Sequence, residues 1–329
     1  MIAAFALCLT LLAASADEAS ADVETATKTA LESLRGHTGF AFTELTDAAP
    51  KVLYGIRADE RFAVGSSFKL FIFGTLIDEV NSAESRLDNT MLLERALTGP
   101  PHSELAEWPV GSPVTLHTLA LKMISISDNM ATDHLHHLLG RERIERQMQQ
   151  MGHSDSAVNR PLLCTREMTM LRDRNAGLPA RYYHGLNESE KRRYLREHCE
   201  KLPSYSAIDF DTSAYELAEW YASPLDMAKA LAWIARNTEV GRPAHAMRAI
   251  LAMDPKLSYD AKTWPFVGFK GGSEDQLLAG NWLLQHKNGR WYTMHFFWNC
   301  PTDKISPEKA LKVVQHILAA IEPTLSTQP

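Results

Sequence analysis

Apolar and polar positions arrange themselves as short β-type runs near both ends of the chain, at 39–45 and 52–56 and again at 266–271, 281–286 and 290–299. The first two runs are separated by the turn-like Asp47-Ala48-Ala49-Pro50, and the last two by Lys287-Asn288-Gly289, whose Asn-Gly pair is a strong hairpin signal. The middle of the chain reads differently. Apolar residues over 68–80, 115–126, 131–139 and 143–151 have helical length or spacing, and Ser223-Pro224 caps a further helix over 225–236. Ser306-Pro307-Glu308 caps a last helix to residue 321. Residues 160–222 are charged, helix-prone over 188–200, and the least patterned part. Strands from both ends with helices between them predict a mixed α/β (α+β) fold: a mainly antiparallel sheet built from both termini, covered by terminal helices, with an all-helical lobe inserted.

The 329 residues, 45% hydrophobic and 22% charged, suffice for one large domain or two lobes sharing a cleft. A net charge of −6 offers no basic patch for nucleic acid. Residues 2–14 are apolar but too short to span a bilayer, and small-residue sites at Ala14-Ser15-Ala16 and Ala19-Ser20-Ala21 follow. This predicts an export leader over 1–21, a periplasmic or secreted protein without a membrane span after cleavage, and one domain over 22–325. Within it the α/β lobe takes about 36–62 and 226–322, and the helical lobe about 63–225. Cleavage would leave Cys164, Cys199 and Cys300, which do not form a disulfide scaffold. His134, His136 and His137 lie close together, but the cysteines do not complete a zinc site and a solvated helix face is expected. Trp291, Tyr292, Phe296, Phe297 and Trp298 are expected to pack as sheet core on the last helix.

Three short motifs carry chemistry: Ser66-Ser67-Phe68-Lys69, Ser127-Asp128-Asn129 and Lys270-Gly271-Gly272. Alone, S-x-x-K is weak, since Ser306-Pro-Glu-Lys309 also fits it and there Ser306 reads as an N-cap. Ser66 and Lys69, however, share a helix face, so the amine can approach the hydroxyl. Ser66 also opens its helix, where backbone N–H groups are free to hold an oxyanion. A desolvated lysine near other cations has a lowered pKa and can serve as a base. Ordered S-x-x-K, S-D-N and K-x-G motifs flanking a lobe junction point to a serine acyl-hydrolase.

The chain resembles the class A β-lactamase and penicillin-recognising serine hydrolase superfamily. Beyond the three motifs, Gly111-Ser-Pro-Val-Thr-Leu through Met123-Ile-Ser, Leu138-Leu-Gly140 to Met151-Gly152, and Ser223-Pro224 to Met227-Ala228 are similar to family helices. The resemblance implies that Ser66 forms an acyl-enzyme with Lys69 as base or relay, and that Ser127 passes a proton to the departing nitrogen. Asn129 would bond Lys69 and the substrate amide, and Lys270 would meet a substrate carboxylate. Ser66 and Ser273 N–H groups would form the oxyanion hole, with Gly271 and Gly272 admitting substrate backbone. No metal or cofactor is called for; the partner is a small acyl substrate, a β-lactam, ester or peptidoglycan-like compound, and the protein is expected to be a monomer.

Two departures stand out. Gly271 replaces the family's Thr or Ser, with Ser273 a partial substitute. Between Ser127 and Pro224 the chain is about 40 residues longer than class A enzymes and lacks their E-x-x-L-N glutamate, which activates the deacylating water. Glu167 and Glu219 are candidate replacements, though each also fits a structural ion pair. Four activities follow: a serine hydrolase of small esters, amides or lactams; a class A-type β-lactamase; a D-alanyl-D-alanine carboxypeptidase or penicillin-binding protein; and a non-catalytic sensor of cell-wall fragments.

Overall fold

A computed structural model describes residues 21–83, 85–97, 103–200, 209–211, 214–239 and 245–325. The expected leader therefore lies outside the described residues except for Ala21. Strands β1 (His37–Glu44) and β2 (Lys51–Ile56) are followed by short strands β3 (Phe62–Ala63), β4 (Thr90–Leu92), β5 (Pro113–Thr115) and β6 (Tyr221–Ala222). The C-terminal part supplies β7 (Phe266–Glu274), β8 (Leu277–Gln285) and β9 (Trp291–Asn299). One antiparallel sheet runs β2-β1-β9-β8-β7, so it is built from both ends of the chain, with β7 at an edge.

Helix α1 (21–32) precedes the sheet. The middle holds α2 (Lys69–Asn81), α3 (Leu116–Ser125), α4 (Asn129–Leu139), α5 (Arg141–Gln150), α6 (Thr165–Leu171), α7 (Ala180–His184), α8 (Glu188–Tyr194), α9 (Pro224–Asn237) and α10 (His245–Leu251), and α11 (Pro307–Leu325) follows the sheet. No described helix is long and apolar enough to cross a membrane. The bounds of α1 are not legible in the pattern, because its buried stripe of Val23, Thr27 and Leu31 contains a threonine, which weakens the periodic signal. Ser223 caps α9 through the Asp226 N–H with Pro224 in the first turn, and Ser306 accepts from the Lys309 N–H at the start of α11.

Side chains of a strand alternate between its faces, and this splits the aromatic run of β9. Tyr292, Met294, Phe296 and Trp298 join Phe40, Phe42 and Trp282 in an outer core beneath α1 and α11. Phe297 instead faces inward, where α2 and α9 form a second core with Ala279 and Leu283. The expectation that all five aromatics of β9 pack on the last helix is corrected accordingly. The histidines of α4 also need correction. His134 and His136 are buried: His134 bonds the Met130 carbonyl and accepts from the Glu94 N–H, and His136 bonds the Leu162 carbonyl. Only His137 is exposed, because a three-residue step on a helix that packs on both α2 and α3 does not point to solvent. Cys164, Cys199 and Cys300 are free thiols.

Candidate active site

The chain enters the site at Gly65, whose φ of 49° is in the left-handed region suited to glycine, and Gly65–Phe68 form one 3-10 turn leading into α2. Ser66 is half-buried on this turn and opens to a cavity of about 610 Å³ between the sheet and the helical lobe. The turn is fixed on two sides. Phe68 stacks on Trp220 with ring centroids 3.8 Å apart, while Trp220 donates its indole N–H to the Leu163 carbonyl and accepts from the Val64 N–H. Such an aromatic pair adds about 0.5–1.5 kcal/mol beyond its buried area. On the other side β7 lies directly against the turn. A Cβ on Gly272 would fall 2.2 Å from the Val64 oxygen, 2.6 Å from the Ser66 nitrogen and 2.8 Å from the Ser67 nitrogen. Only glycine permits that approach, so Gly272 serves the packing of the nucleophile turn and also lines the cavity. A Cβ on Gly65 would be 3.4 Å from the Ser273 nitrogen, which places the Ser66 and Ser273 backbone on adjoining segments.

Lys69 is fully buried one turn after Ser66. Its Nζ donates to the Ser127 carbonyl (2.7 Å), Ser127 Oγ (3.1 Å) and Asn129 Oδ1 (2.7 Å). Ser127 adopts φ 61°, a left-handed conformation that costs a non-glycine residue about 1–3 kcal/mol and turns both its oxygens toward this amine. Asp128 holds the turn by accepting from the Ala131 and Leu105 N–H groups and the Ser103 hydroxyl. From β7, Lys270 Nζ donates to Ser127 Oγ (3.1 Å) and the Gly271 carbonyl (2.6 Å). Ser127 Oγ thus sits between two lysines. Burial brings the Lys69 ammonium down to about 7, against the opposing charges of Asp133 and Asp128. Burial and the charge of Lys69 hold Lys270 well below the usual lysine range. Near neutral pH a good fraction of Lys69 is therefore an uncharged amine, able to take a proton.

A buried polar chain beneath the site was not singled out from the sequence. Asn281 donates to Ser67 Oγ (2.9 Å) and to the Lys270 carbonyl (3.0 Å), tying the nucleophile turn to β7. His295 Nδ1 donates to Asn281 Oδ1 (2.9 Å), Thr293 donates to His295 Nε2 (2.9 Å), and Thr43 meets Thr293 at 2.8 Å. Burial pushes His295 down to about 3, so it stays neutral with its proton on Nδ1. The available signal was polar residues at inward strand positions, Asn281 in β8 and Thr293, His295 and Asn299 in β9.

The two candidate deacylating carboxylates are not brought to the cavity. Glu167 makes a bidentate pair with Arg141 (2.7 and 2.9 Å) and accepts from the Cys164 N–H at the start of α6. Burial alone would raise its pKa, but the charge and hydrogen bonds of Arg141 outweigh that and hold it low. Glu219 is sealed beside Arg172 (3.1 Å), which also grips Glu274 (2.6 Å). Burial and the charge of Glu274 raise Glu219 well above the carboxylate range despite Arg172. Glu167 is thus one half of an ion pair, and Glu219 a proton-holding neighbour of Arg172, in this geometry. Asp254 is the one carboxylate among the described residues lining the cavity, and Lys256 pairs with it at 2.5 Å. Removing one partner of a buried pair costs about 3–5 kcal/mol. Glu167→Gln, which keeps an acceptor oxygen, is expected to lower stability by about 3 kcal/mol in a urea melt. Acyl-enzyme decay in the folded protein should keep its rate, and a selective block of that decay would make Glu167 the base after all. No group of three or more His, Cys, Asp or Glu side chains suited to a metal ion occurs among the described residues.

The model of a family described as "Beta-lactamase enzyme family" matches residues 22–258. No curated protein sequence matches the chain. Among solved structures, a β-lactamase from Sphaerobacter thermophilus DSM 20745 is similar at 19% identity and TM-score 0.64, covering 93% of this chain and 98% of that one. PBP-A is similar at 14% identity and TM-score 0.64, over 93% and 97% of the two chains. The TLA-1 extended-spectrum β-lactamase follows at 11% identity and TM-score 0.64, over 93% and 99%. At such identities the likeness establishes the fold: an antiparallel sheet with a helical lobe, as the sequence pattern predicts.

Proposed function

Because the chain belongs to the β-lactamase enzyme family, whose fold and serine hydrolase character it shares, we propose that it hydrolyses esters, amides or lactams through an acyl-enzyme on Ser66. The observation that carries this reading is the position of Ser127 Oγ, 3.1 Å from both Lys69 and Lys270 beside the cavity that Ser66 enters. Ser66 Oγ attacks the carbonyl carbon and its proton passes to neutral Lys69. The bond from carbon to the leaving nitrogen or oxygen then breaks, and that atom takes the Ser127 hydroxyl proton, which the lysines replace. The Ser66 and Ser273 N–H groups receive the oxyanion. Water finally hydrolyses the ester on Ser66.

Acylation is the well-equipped half of this cycle. The one lining carboxylate is paired with Lys256, and both glutamates considered as bases face arginines. A slowly released acyl-enzyme follows, which favours a penicillin-binding type of behaviour over a rapid β-lactamase. A PBP-A variant has been captured as an acyl-enzyme complex with penicillin G, so lactams are suitable probes here. Export to the periplasm or beyond is part of the proposal, supported by the apolar residues 2–14 and the small-residue sites after them.

Intact-mass spectrometry tests the reading with an alkyl fluorophosphonate and with penicillin G at high concentration. The expected result is one adduct per chain, mapped to Ser66, and a penicilloyl adduct that persists after free drug is removed. Rapid penicillin hydrolysis without a lasting adduct would replace slow release by a working β-lactamase. Absence of any Ser66 adduct with either reagent would overturn the acyl-enzyme.

A further inference from the structure

The wall of the cavity beyond Lys270 is built by an unusual cross-strand arrangement. Phe269 on β7 pairs with Trp282 on β8, and the next pair on that face is Gly271 with Gly280. Each aromatic ring leans over its neighbouring glycine. A Cβ on Gly271 would meet Phe269 Cζ at 2.6 Å, and one on Gly280 would meet Trp282 Cη2 at 2.3 Å. The rings lie 4.9 Å apart, and Trp282 is held by its indole N–H bond to the Pro255 carbonyl (2.9 Å). The space where a Thr or Ser hydroxyl would stand at position 271 is therefore occupied by a phenyl ring. Ala310, Leu311 and Val314 of α11 line the same cavity, as does Leu278 of β8.

Few basic groups stand at this end. The basic side chains among the described lining residues are Lys270 and Lys256. Lys270 is 2% exposed and bonded to Ser127 Oγ and the Gly271 carbonyl, while Lys256 is paired with Asp254. No arginine is among the described residues that line the cavity. A carboxylate placed here would be desolvated against a wall without arginine, beside a Lys270 that burial and the charge of Lys69 hold well below the usual lysine range, whereas an apolar group would leave water for an aromatic and aliphatic wall.

The direction of this slot follows from Ser127. Its Oγ is the proton source for the departing atom, it is tied to β7 through Lys270, and its neighbours Ile124 and Ile126 line the same cavity. The group carried by the departing atom thus extends toward β7 and α11. We propose that the substrate's leaving group is uncharged and apolar, as in an aryl ester, and that it seats against Phe269 and Trp282, with Phe269 the residue that sets this preference. In that reaction the bond from the acyl carbon to the phenol oxygen breaks, the acyl group moves to Ser66 Oγ, and the phenol oxygen takes the Ser127 proton. The inference rests on Ser66 being the acylated residue.

Three acetate esters test it on the intact protein: phenyl, 3-carboxyphenyl and methyl, with fluorophosphonate labelling of Ser66 run alongside. After correction for their rates with hydroxide, the wild-type kcat/KM for the phenyl ester should exceed that for the anionic 3-carboxyphenyl ester at least tenfold. Phe269→Ala should lower the phenyl-over-methyl preference by tenfold or more, and Phe269→Leu should restore part of it. Labelled enzyme that treats the two aryl esters alike, prefers the anionic one, or turns over none of the three overturns the slot but leaves the acyl-enzyme standing. Failure of Ser66 to label overturns the acyl-enzyme reading itself. The wild-type ratio decides the matter even if a Phe269 variant does not fold.

Discussion

Ser66→Ala is expected to abolish both covalent labelling and turnover, with a loss of kcat on the order of 10⁴–10⁶, the scale seen when a catalytic serine is removed. The cavity also presents Ser125, Ser127 and Ser273, so the outcome is not a foregone one. Ser127 is the serious rival, since its hydroxyl lies 3.1 Å from each of two lysines. What distinguishes Ser66 is its backbone. It sits on the 3-10 turn that opens α2, with its nitrogen packed against Gly272 of β7, so a carbonyl attacked there has main-chain donors beside it. Ser127 instead stands at the C-terminal side of α3 in a strained turn and contacts both lysines. The half-buried Ser66 side chain contributes little to the core, so the alanine variant should melt within about 0.5 kcal/mol of wild type. Peptide mapping after fluorophosphonate treatment gives the result. Retained turnover, or an adduct on Ser127, would assign the nucleophile elsewhere.

Lys69→Ala should slow acylation at least a hundredfold, the lower range for loss of a general base. Within the described site Lys69 is the amine one helical turn from Ser66, and burial has brought it to about 7. The active form is the uncharged amine. Acylation by the wild type should therefore fall about tenfold for each pH unit below that value and level off above it. The variant should lose this pH dependence along with the rate. Removing a side chain that makes three hydrogen bonds also disturbs the Ser127 turn it holds, so the wild-type pH profile is the cleaner measurement. A near-normal acylation rate in a folded Lys69→Ala protein, or a wild-type profile flat through pH 7, would remove Lys69 from the base role.

Much of the architecture was legible in the chain because strand and helix periodicities are local. The β8–β9 hairpin, the capped α9 and α11, and the helices that carry Ser66 and follow Ser127 stand where pattern and caps predict them. The apolar pattern predicts a strand ending at residue 271, while β7 continues to Glu274 because Gly271, Gly272 and Ser273 stay in register with β8. Cross-strand pairing supplies what the weak strand propensity of two glycines does not. Region 160–222 was illegible for a related reason. Its helix α8 falls within the helix-prone 188–200 and carries a local capping box, whereas α6 is held by a long-range partner, the Asp133 carboxylate, which accepts from the N–H groups of Thr165 and Arg166.

By itself the sequence determined the order of elements, the mixed sheet-and-lobe architecture and the kind of chemistry, because caps, turns and motif spacing act over a few residues. Tertiary structure alone decided which charged groups face the cavity and which are spent as ion pairs. It turned Glu167 toward Arg141 and Glu219 toward Arg172, buried His134 and His136, and laid Phe269 over Gly271. The reason is physical: a side chain's partner and solvation depend on which segment, distant in sequence, packs against it. Burial and pairing, more than residue type, set whether a carboxylate or an amine is free to act.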